Sequence, residues 1–542
     1  QVGDQEGCKL EDGVVKTPPG FKEAYQLWKQ GGWQGLSHPT EVGGQGLPMS
    51  LGLIKSEMAG TANWSWNMYP GLSIGAMNTL YTHGSDSQKQ QYLPKLCDAS
   101  WTGTMCLTEP HCGSDLGQLN TKAELNDDGS YALTGTKIFI SAGEHDMAEN
   151  IIHIVIARVP GSPKGTKGIS LFIVPKILVD EQGELLERNA VSCGSLEEKM
   201  GIHGNATAVL NFDGAKGFLL GTINNGMASM FTFMNTARVG TAIQGIAAAE
   251  LSYQNSLPYA LERHSMRSLS GHKNPEKPAD AIIHHPDVRR LLMTQKTIAE
   301  GGRAMLYDAA KISDIMAYGN SEEEKAEAEN YLGFMTPILK AFLTEMGNEC
   351  ASHGMQVFGG HGYIAEHGME QIYRDSRIST LYEGTTGIQA MDLLGRKVIL
   401  DGFKLYRQFS KQFYAQGFKA LFKGKNRRYG AKVITTTLRW NWLTLKMVAR
   451  ASRNRDAVGS ASYDFLMYGG YLSLSYYWSK MAEAASKGLE DNPNNKEFYE
   501  AKLASARFWF ERMLPRAKAH AGTMDQSTDG LMGLSLEQFN VR

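Results

Sequence analysis

Apolar residues in the first hundred positions recur every three or four places, as at Phe21, Ala24, Leu27 and Trp28, and predict amphipathic helices from Gly20 to about Ser100. After Thr102 the period shortens to alternation and β-branched runs: YALTGTKIFIS from Tyr131, NIIHIVIARV from Asn150, GISLFIVPKIL from Gly168 and TAVLNFDG from Thr207. Punctuated by Gly, Asp, Asn and Pro, these read as strands of a small β-barrel-like domain. Helical spacing returns from Met227 to about Leu400, in GTAIQGIAAAELSYQNSLPYALERH and TPILKAFLTEMGNECASHGMQVFGG, and predicts a helical bundle. Between those stretches, Arg267–Asp280 (RSLSGHKNPEKPAD) reads as a loop. The remainder, with TTTLRWNWLTLKMVARAS and AKLASARFWFERMLPRAKAHA, predicts further helices. The expectation is an α+β multidomain chain with units at 1–101, 102–222, 223–400 and 401–542, and no internal repeat of fixed period.

At 542 residues the chain is too long for one core. Its 55 basic and 56 acidic residues give no polybasic face worth proposing, so neither nucleic acid nor an anionic membrane is expected as partner. Six cysteines without CxxC spacing argue against zinc, other metals or structural disulfides, and for a reducing cytoplasmic setting. No apolar run approaches the ~20 residues needed to span a bilayer, and no signal peptide is evident. Because the chain starts at Gln1, a natural N-terminal segment is expected to precede it.

Chemistry concentrates in Leu381–Gln389, LYEGTTGIQ, where one carboxylate, Glu383, stands beside Gly384, Thr385 and Thr386. Such a turn lets a base approach a substrate closely, with backbone N–H groups and hydroxyls available to phosphate or an oxyanion. A lone Glu in a glycine turn is more often a solvated turn residue. Here it has company: MCLTEPHCGSD (Met105–Asp115), QVFGGHGY (Gln356–Tyr363), GGWQGL (Gly31–Leu36), EVGGQGLP (Glu41–Pro48) and HGSDSQKQQYLP (His83–Pro94). Together these resemble the acyl-CoA dehydrogenase family. IIHHPDVRRLLMTQK and YEGTTGIQAMDLLGRK, with the long tail, are similar to its large bacterial branch, whose substrates include 3-(methylthio)propanoyl-CoA and fatty acyl-CoA.

The resemblance implies FAD-dependent α,β-dehydrogenation of an acyl-CoA to a trans-2-enoyl-CoA, with electrons passed to an electron-transferring flavoprotein. It makes Glu383 the base and places it with Gly384 against the substrate. Other branches carry the base on the FMNTARVGTA helix; the corresponding residue here is Ala237, which cannot serve. Arg238 beside it is either a substrate contact or an internal ion-pair partner. Met105, Leu107 and Thr108 are the implied flavin wall, and Ser114 the implied CoA contact. Phe139 and Ser141 stand where a tryptophan and a threonine commonly flank the flavin. Gln356, Gly359, Gly360 and Thr385 are further implied FAD contacts, with Arg263 and Ser265 approaching the dinucleotide from a neighbouring subunit. His285 and Gly387 replace glutamines common among relatives. A cofactor shared between subunits implies an oligomer, here a homodimer. Trp64, Trp66, Asn67, Met68 and Tyr69 either floor a restricted substrate pocket or simply fill the core. An oxygen-using acyl-CoA oxidase, a lyase and a non-catalytic CoA-thioester binder are the alternatives; Glu383 speaks against the last two.

Overall fold

The computed structural model describes Gln1–Val541, whose contacts gather into two compact units, Gln1–Ile243 and Gln244 onward. In the first unit, α1 (Val2–Glu6) precedes a hairpin of β1 (Lys9–Glu11) and β2 (Val14–Lys16). Four helices follow: α2 (Phe21–Gln30), α3 (Met49–Ala62), α4 (Trp64–His83) and α5 (Asp86–Cys97). The buried stripe of α2 is Phe21, Tyr25 and Trp28, spaced four and three apart, whereas Leu27 is 68% exposed. Local caps set the helix starts: Asn63 accepts the Trp66 N–H, and Ser85 and Gln88 form a capping box. On α4, Trp66 packs edge-on against Trp28, and Tyr69 is fully buried with its hydroxyl donating to the Gly204 carbonyl, so both are built into the core.

The sheet comprises β3 (Trp101–Cys106), β4 (Lys122–Leu125), β5 (Tyr131–Ser141), β6 (Asn150–Ala157), β7 (Ser170–Pro175), β10 (Val191–Leu196) and β11 (Thr207–Leu219), with the short hairpin β8 (Ile177–Val179) and β9 (Leu185–Arg188) apart from it. Its order is β3-β6-β7-β11-β5-β4, with β10 also on β11; only β3–β6 is parallel. The long β11 pairs β5 and β10 along its first part and β7 at its end. Lys122 at the start of β4 bridges back to Arg158 just beyond β6, so the sheet curls towards closure as the alternation suggested. β6 and β7 are buried at every position, hence their unbroken apolar runs.

Three histidines lie buried in this unit. His145 bonds Thr102 Oγ1 at 2.9 Å, His153 bonds Thr104 Oγ1 at 2.7 Å, and His38 bonds Asn78 Oδ1 at 3.1 Å. Burial, and for the first two the Lys176 charge, lowers their pKa to about 3, 3 and 4 respectively. The unfolded chain therefore takes up protons below about pH 6.5 that the folded unit refuses, so stability falls as pH drops from there towards these values. Between pH 7 and pH 5 the expected loss is roughly 2 kcal/mol per histidine, measured by urea unfolding at both pH values; a His153→Gln variant should show a smaller loss.

In the second unit α6 (Gly226–Glu262), which spans the boundary, is followed by the antiparallel pair α7 (Pro286–Tyr318) and α8 (Glu322–Phe358), then α9 (Met369–Arg377) and α10 (Thr386–Met391). The predicted loop Arg267–Asp280 is irregular and winds around the buried Asp280, whose carboxylate accepts the backbone N–H groups of Ser268, Lys273 and Asn274. Those donors, with Arg267, hold its pKa far below the ordinary carboxylate range. The tail forms α11 (Lys404–Leu421), α12 (Arg427–Ala451), α13 (Asp456–Asp491), α14 (Lys496–Phe508) and α15 (Ala517–Met524). From Phe465 to Ser479 every residue of α13 is buried, as expected of a helix surrounded by α7, α8, α11, α12, α14 and α15. Among the described residues no helix is long and apolar enough to cross a membrane.

Candidate active site

Glu383 lies in the turn between the 3-10 segment Ile378–Thr380 and α10. Its own φ is 56° and that of Gly384 is 84°, two left-handed residues in succession of which only the second is glycine. Such a conformation costs on the order of 1–3 kcal/mol for a residue with a side chain and persists only where neighbours enforce it. The enforcement comes from two fully buried side chains. Gln389 Nε2 donates to the Glu383 carbonyl at 3.0 Å, and Lys340 Nζ, from the middle of α8, donates to the Gly384 carbonyl at 2.7 Å. Around them Tyr382 OH donates to Gln244 Oε1 at 2.6 Å, and the Gln244 amide donates to the Asp375 carbonyl at 3.0 Å. The half-buried Glu383 carboxylate is thus carried on a pinned backbone.

The two threonine hydroxyls are largely spent inside the turn. Thr385 Oγ1 accepts the Ile388 N–H at 3.3 Å and caps α10, keeping only its own proton for a ligand; Thr386 Oγ1 donates to Glu345 Oε1 at 2.6 Å. Gly384 is required twice over, by its φ and because a Cβ there would stand 2.6 Å from Gln389 Nε2. Gly384→Ala is therefore expected to displace the Glu383 backbone and cut turnover about 100-fold while the fold is retained, as read by steady-state kinetics beside circular dichroism.

At the far end of α8, Gln356 is exposed and Gly359 takes φ 60° to end the helix. Tyr259 of α6 stacks on Phe358 at 4.0 Å and donates to its carbonyl, joining the ends of α6 and α8. The exposed Arg263 and Ser265 follow at the end of α6, held by backbone bonds from Ile282 to Arg263 and from Ser265 to Asp280. His285 Nε2 meets the Ser265 carbonyl at 2.8 Å, which gives that departure from the common glutamine a bracing role. One chain therefore gathers Arg263, Ser265, Gln356, Gly359 and Gly360 at one end of the helical unit. Along α8 this end is about 24 Å from Lys340.

In the first unit, Met105, Leu107 and Thr108 are half-buried on β3 and the loop that leaves it, Ser114 is exposed, and Ser141 is half-buried at the end of β5. Phe139 is 58% exposed with φ 60°, a strained conformation for an aromatic residue in a strand. Arg238 is buried on α6, with its guanidinium 5.9 Å from the Phe231 ring centre.

The loop is held by residues that motif reading passes over. Glu109 and Lys137, 3% and 0% exposed, pair at 2.8 Å, and Lys137 also donates to the Leu107 carbonyl at 3.0 Å. Glu109 further accepts the N–H groups of Asn120 and Thr121 and the Thr121 hydroxyl. Arg158 donates to the carbonyls of Gly117, Leu119 and Pro163. Glu109, His111 and Cys112 bring ligand atoms within 4.8 Å of one another, yet the Lys137 ammonium already neutralises Glu109 and opposes a cation there. A signal for Lys340 and Lys137 existed in the sequence: each is a single cation inside an apolar stretch, TPILKAFL and TKIFIS, where an unpaired charge is costly.

Family models match nearly the whole chain: the acyl-CoA dehydrogenase N-terminal domain at residues 14–100, the middle domain at 104–215, the C-terminal domain at 224–398, and an acetyl-CoA dehydrogenase C-terminal-like model at 411–535. The chain is 41% identical to a 3-methylmercaptopropionyl-CoA dehydrogenase of Ruegeria pomeroyi, over 99% of this chain and 90% of that protein. It is 34% identical to a broad-specificity linear acyl-CoA dehydrogenase of Mycobacterium tuberculosis, over 97% and 88%. Among solved structures, an acyl-CoA dehydrogenase complexed with FAD from Bacillus anthracis superposes with a TM-score of 0.74 at 21% identity, over 93% of this chain and 82% of that one. With four consecutive models in family order and 41% identity across 99% of its length, the chain belongs to the acyl-CoA dehydrogenase family.

Proposed function

We propose that this protein oxidises an acyl-CoA thioester to the trans-2-enoyl-CoA. The carrying observation is the strained, doubly pinned Glu383–Gly384 turn, which fixes one carboxylate where a base for a carbon acid is needed. The Glu383 carboxylate takes the proton from the carbon next to the thioester carbonyl; that C–H pair becomes the new carbon–carbon π bond as hydride leaves the next carbon. Charge building on the thioester oxygen meets the Glu383 backbone N–H. Gly384 leaves room for the acyl chain at the base, Ser114 meets the CoA portion, and the buried Arg238 serves either as a further substrate contact or as an internal ion-pair partner.

The residues present fit FAD. Phe139 offers an exposed ring beside half-buried Met105, Leu107, Thr108 and Ser141 for a flat isoalloxazine. At Gly359 and Gly360 an added Cβ would meet nothing within 4 Å, leaving backbone open to a pyrophosphate, with Arg263, Ser265 and Gln356 as polar partners at that end, while the Thr385 proton is available to the cofactor beside the Glu383 turn. Bound FAD supplies the two-electron acceptor for the hydride. Electron-transferring flavoprotein is the assigned onward acceptor, a reading supported by a caffeyl-CoA reductase-Etf complex subunit among the relatives. Because the Arg263–Gly360 end lies far along α8 from the Glu383 support, it is assigned to the cofactor of a second copy, which makes the working form a homodimer. Its location is assigned to the cytoplasm.

The substrate class favoured is a short acyl or thioether acyl-CoA, 3-(methylthio)propanoyl-CoA foremost, supported by the 41% identity to the Ruegeria protein, with a longer fatty acyl-CoA as the other choice. Anaerobic titration of the flavin absorbance with butanoyl-, 3-(methylthio)propanoyl-, octanoyl- and palmitoyl-CoA tests both levels. Bleaching by the thioether or butanoyl substrate at the lowest concentration supports the reading. Bleaching only by palmitoyl-CoA would overturn the substrate class, and a flavin that none reduces would overturn dehydrogenation.

A further inference from the structure

The near-neutral total charge conceals one extreme segment. Between Gly402 and Arg455 the chain carries 7 Lys and 7 Arg and not one Asp or Glu. That segment is the α11–α12 hairpin. The helices run antiparallel, with Gly417 against Gly430 and Ile434, and Tyr414 OH accepting from Asn441 Nδ2 at 2.9 Å. Some of its cations are neutralised from neighbouring helices: Lys419 and Lys423 by Glu483, and Arg439, Lys446 and Arg450 by Asp525. Lys404, Arg407 and Lys411 are exposed and have no carboxylate in ion-pair range among the described residues.

Apolar tips stand on the same hairpin. Phe418, Leu438, Trp442 and Leu445 are 50%, 54%, 45% and 65% exposed, and Phe422 just past α11 is 84% exposed. Trp442 lies under two cations, Arg439 at 4.5 Å and Lys446 at 4.9 Å. Between the helices opens a cleft of about 420 Å³, rimmed by Arg407, Lys411 and Leu445 and floored by the buried hydroxyls of Tyr406, Ser410 and Thr444.

We propose that the α11–α12 face docks on an anionic lipid bilayer, with a lipid headgroup phosphate seated in this cleft between Arg407 and Lys411. The Arg407 and Lys411 cations supply the donors a phosphate oxygen needs, the cleft hydroxyls being committed to Asn441 Oδ1 and the Trp440 carbonyl, while Phe418, Phe422, Leu438 and Leu445 enter the acyl boundary and Trp442 sits at headgroup level. A second copy of the chain is disfavoured as occupant, because a two-fold contact through this face would set cation on cation. A protein partner is disfavoured because lysine, half of the basic residues here, is depleted from protein interfaces. The hairpin includes none of the residues assigned to FAD or acyl-CoA, so this inference does not rest on the proposed activity.

The test is co-sedimentation of the full-length flavin-loaded protein with vesicles of phosphatidylcholine alone and of phosphatidylcholine mixed with phosphatidylglycerol, in low and high salt. Expected are pelleting with the phosphatidylglycerol vesicles only, release by high salt, and affinity lower by roughly 30-fold or more for the double variant Arg407→Gln, Lys411→Gln. Leu445→Asp with Phe422→Asp should weaken binding as well. Flavin content and turnover of soluble acyl-CoA should match wild type in both variants, which shows that they are folded. Equal pelleting with both vesicle types, pelleting with neither, or folded variants that bind like wild type would overturn the proposal. So would displacement from the vesicles by millimolar inorganic phosphate, which would make the cleft a site for the free anion.

Discussion

Glu383→Gln is expected to keep its flavin and to bind acyl-CoA while the rate of flavin bleaching falls about 10,000-fold, the upper range for losing a general base. The amide matches the carboxylate in volume, and the contacts that pin the turn are made to backbone carbonyls by Gln389 and Lys340, so the support survives the change. What disappears is the ability to accept a proton. Stopped-flow absorbance under anaerobic conditions separates the two contributions: the amplitude of the binding phase should persist and the reductive phase should nearly vanish. A fall of less than tenfold would place the base elsewhere. Lys340→Met makes a useful companion, since it releases the Gly384 carbonyl without touching the carboxylate and should lower the rate by a smaller factor.

How much of this could be read from the chain depends on the distance over which each feature is encoded. The long helices and the sheet strands were legible because burial repeats along them: β6 and β7 are apolar throughout and buried throughout. The hairpin β1–β2 was not, because three-residue strands are too short for an alternation to register, and Leu27 was placed on the wrong face because a helical stripe is fixed only to within one neighbouring position. The turn that carries Glu383 was legible because its residues are neighbours in sequence. Lys340 stood out only as a cation in an apolar stretch; that it reaches this turn from 44 residues away is a proximity that no local pattern carries. The basic hairpin escaped for the opposite reason: it is plain in the sequence, but summing charge over 542 residues cancels it.

The same distance argument applies to Glu109 and Lys137, and it leads to the largest expected effect on stability. Glu109→Ala should destabilise the first unit by about 3–5 kcal/mol, because it strands an ammonium that is fully buried. For a unit of this size that corresponds to roughly 10 °C in Tm. Adding Lys137→Met should restore most of the loss, since an apolar side chain of similar length removes the stranded charge; a double variant no better than the single one would mean that Glu109 acts mainly through Asn120 and Thr121. The pair also has a pH signature. Burial pushes the Glu109 carboxyl up, but the Lys137 charge and the hydrogen bonds from Lys137, Thr121 and Asn120 outweigh it and hold its pKa below the ordinary value. A depressed folded pKa means that the contribution is complete above the unfolded value, near 4.5, and is lost as pH falls through the folded one. The carboxylate's share of the stability gap between wild type and Glu109→Ala should therefore be lost in acid. Leu107 and Thr108, the proposed flavin wall, ride on this loop, so flavin should leave the Glu109→Ala protein more readily even at temperatures where it is folded, as measured by release of flavin fluorescence.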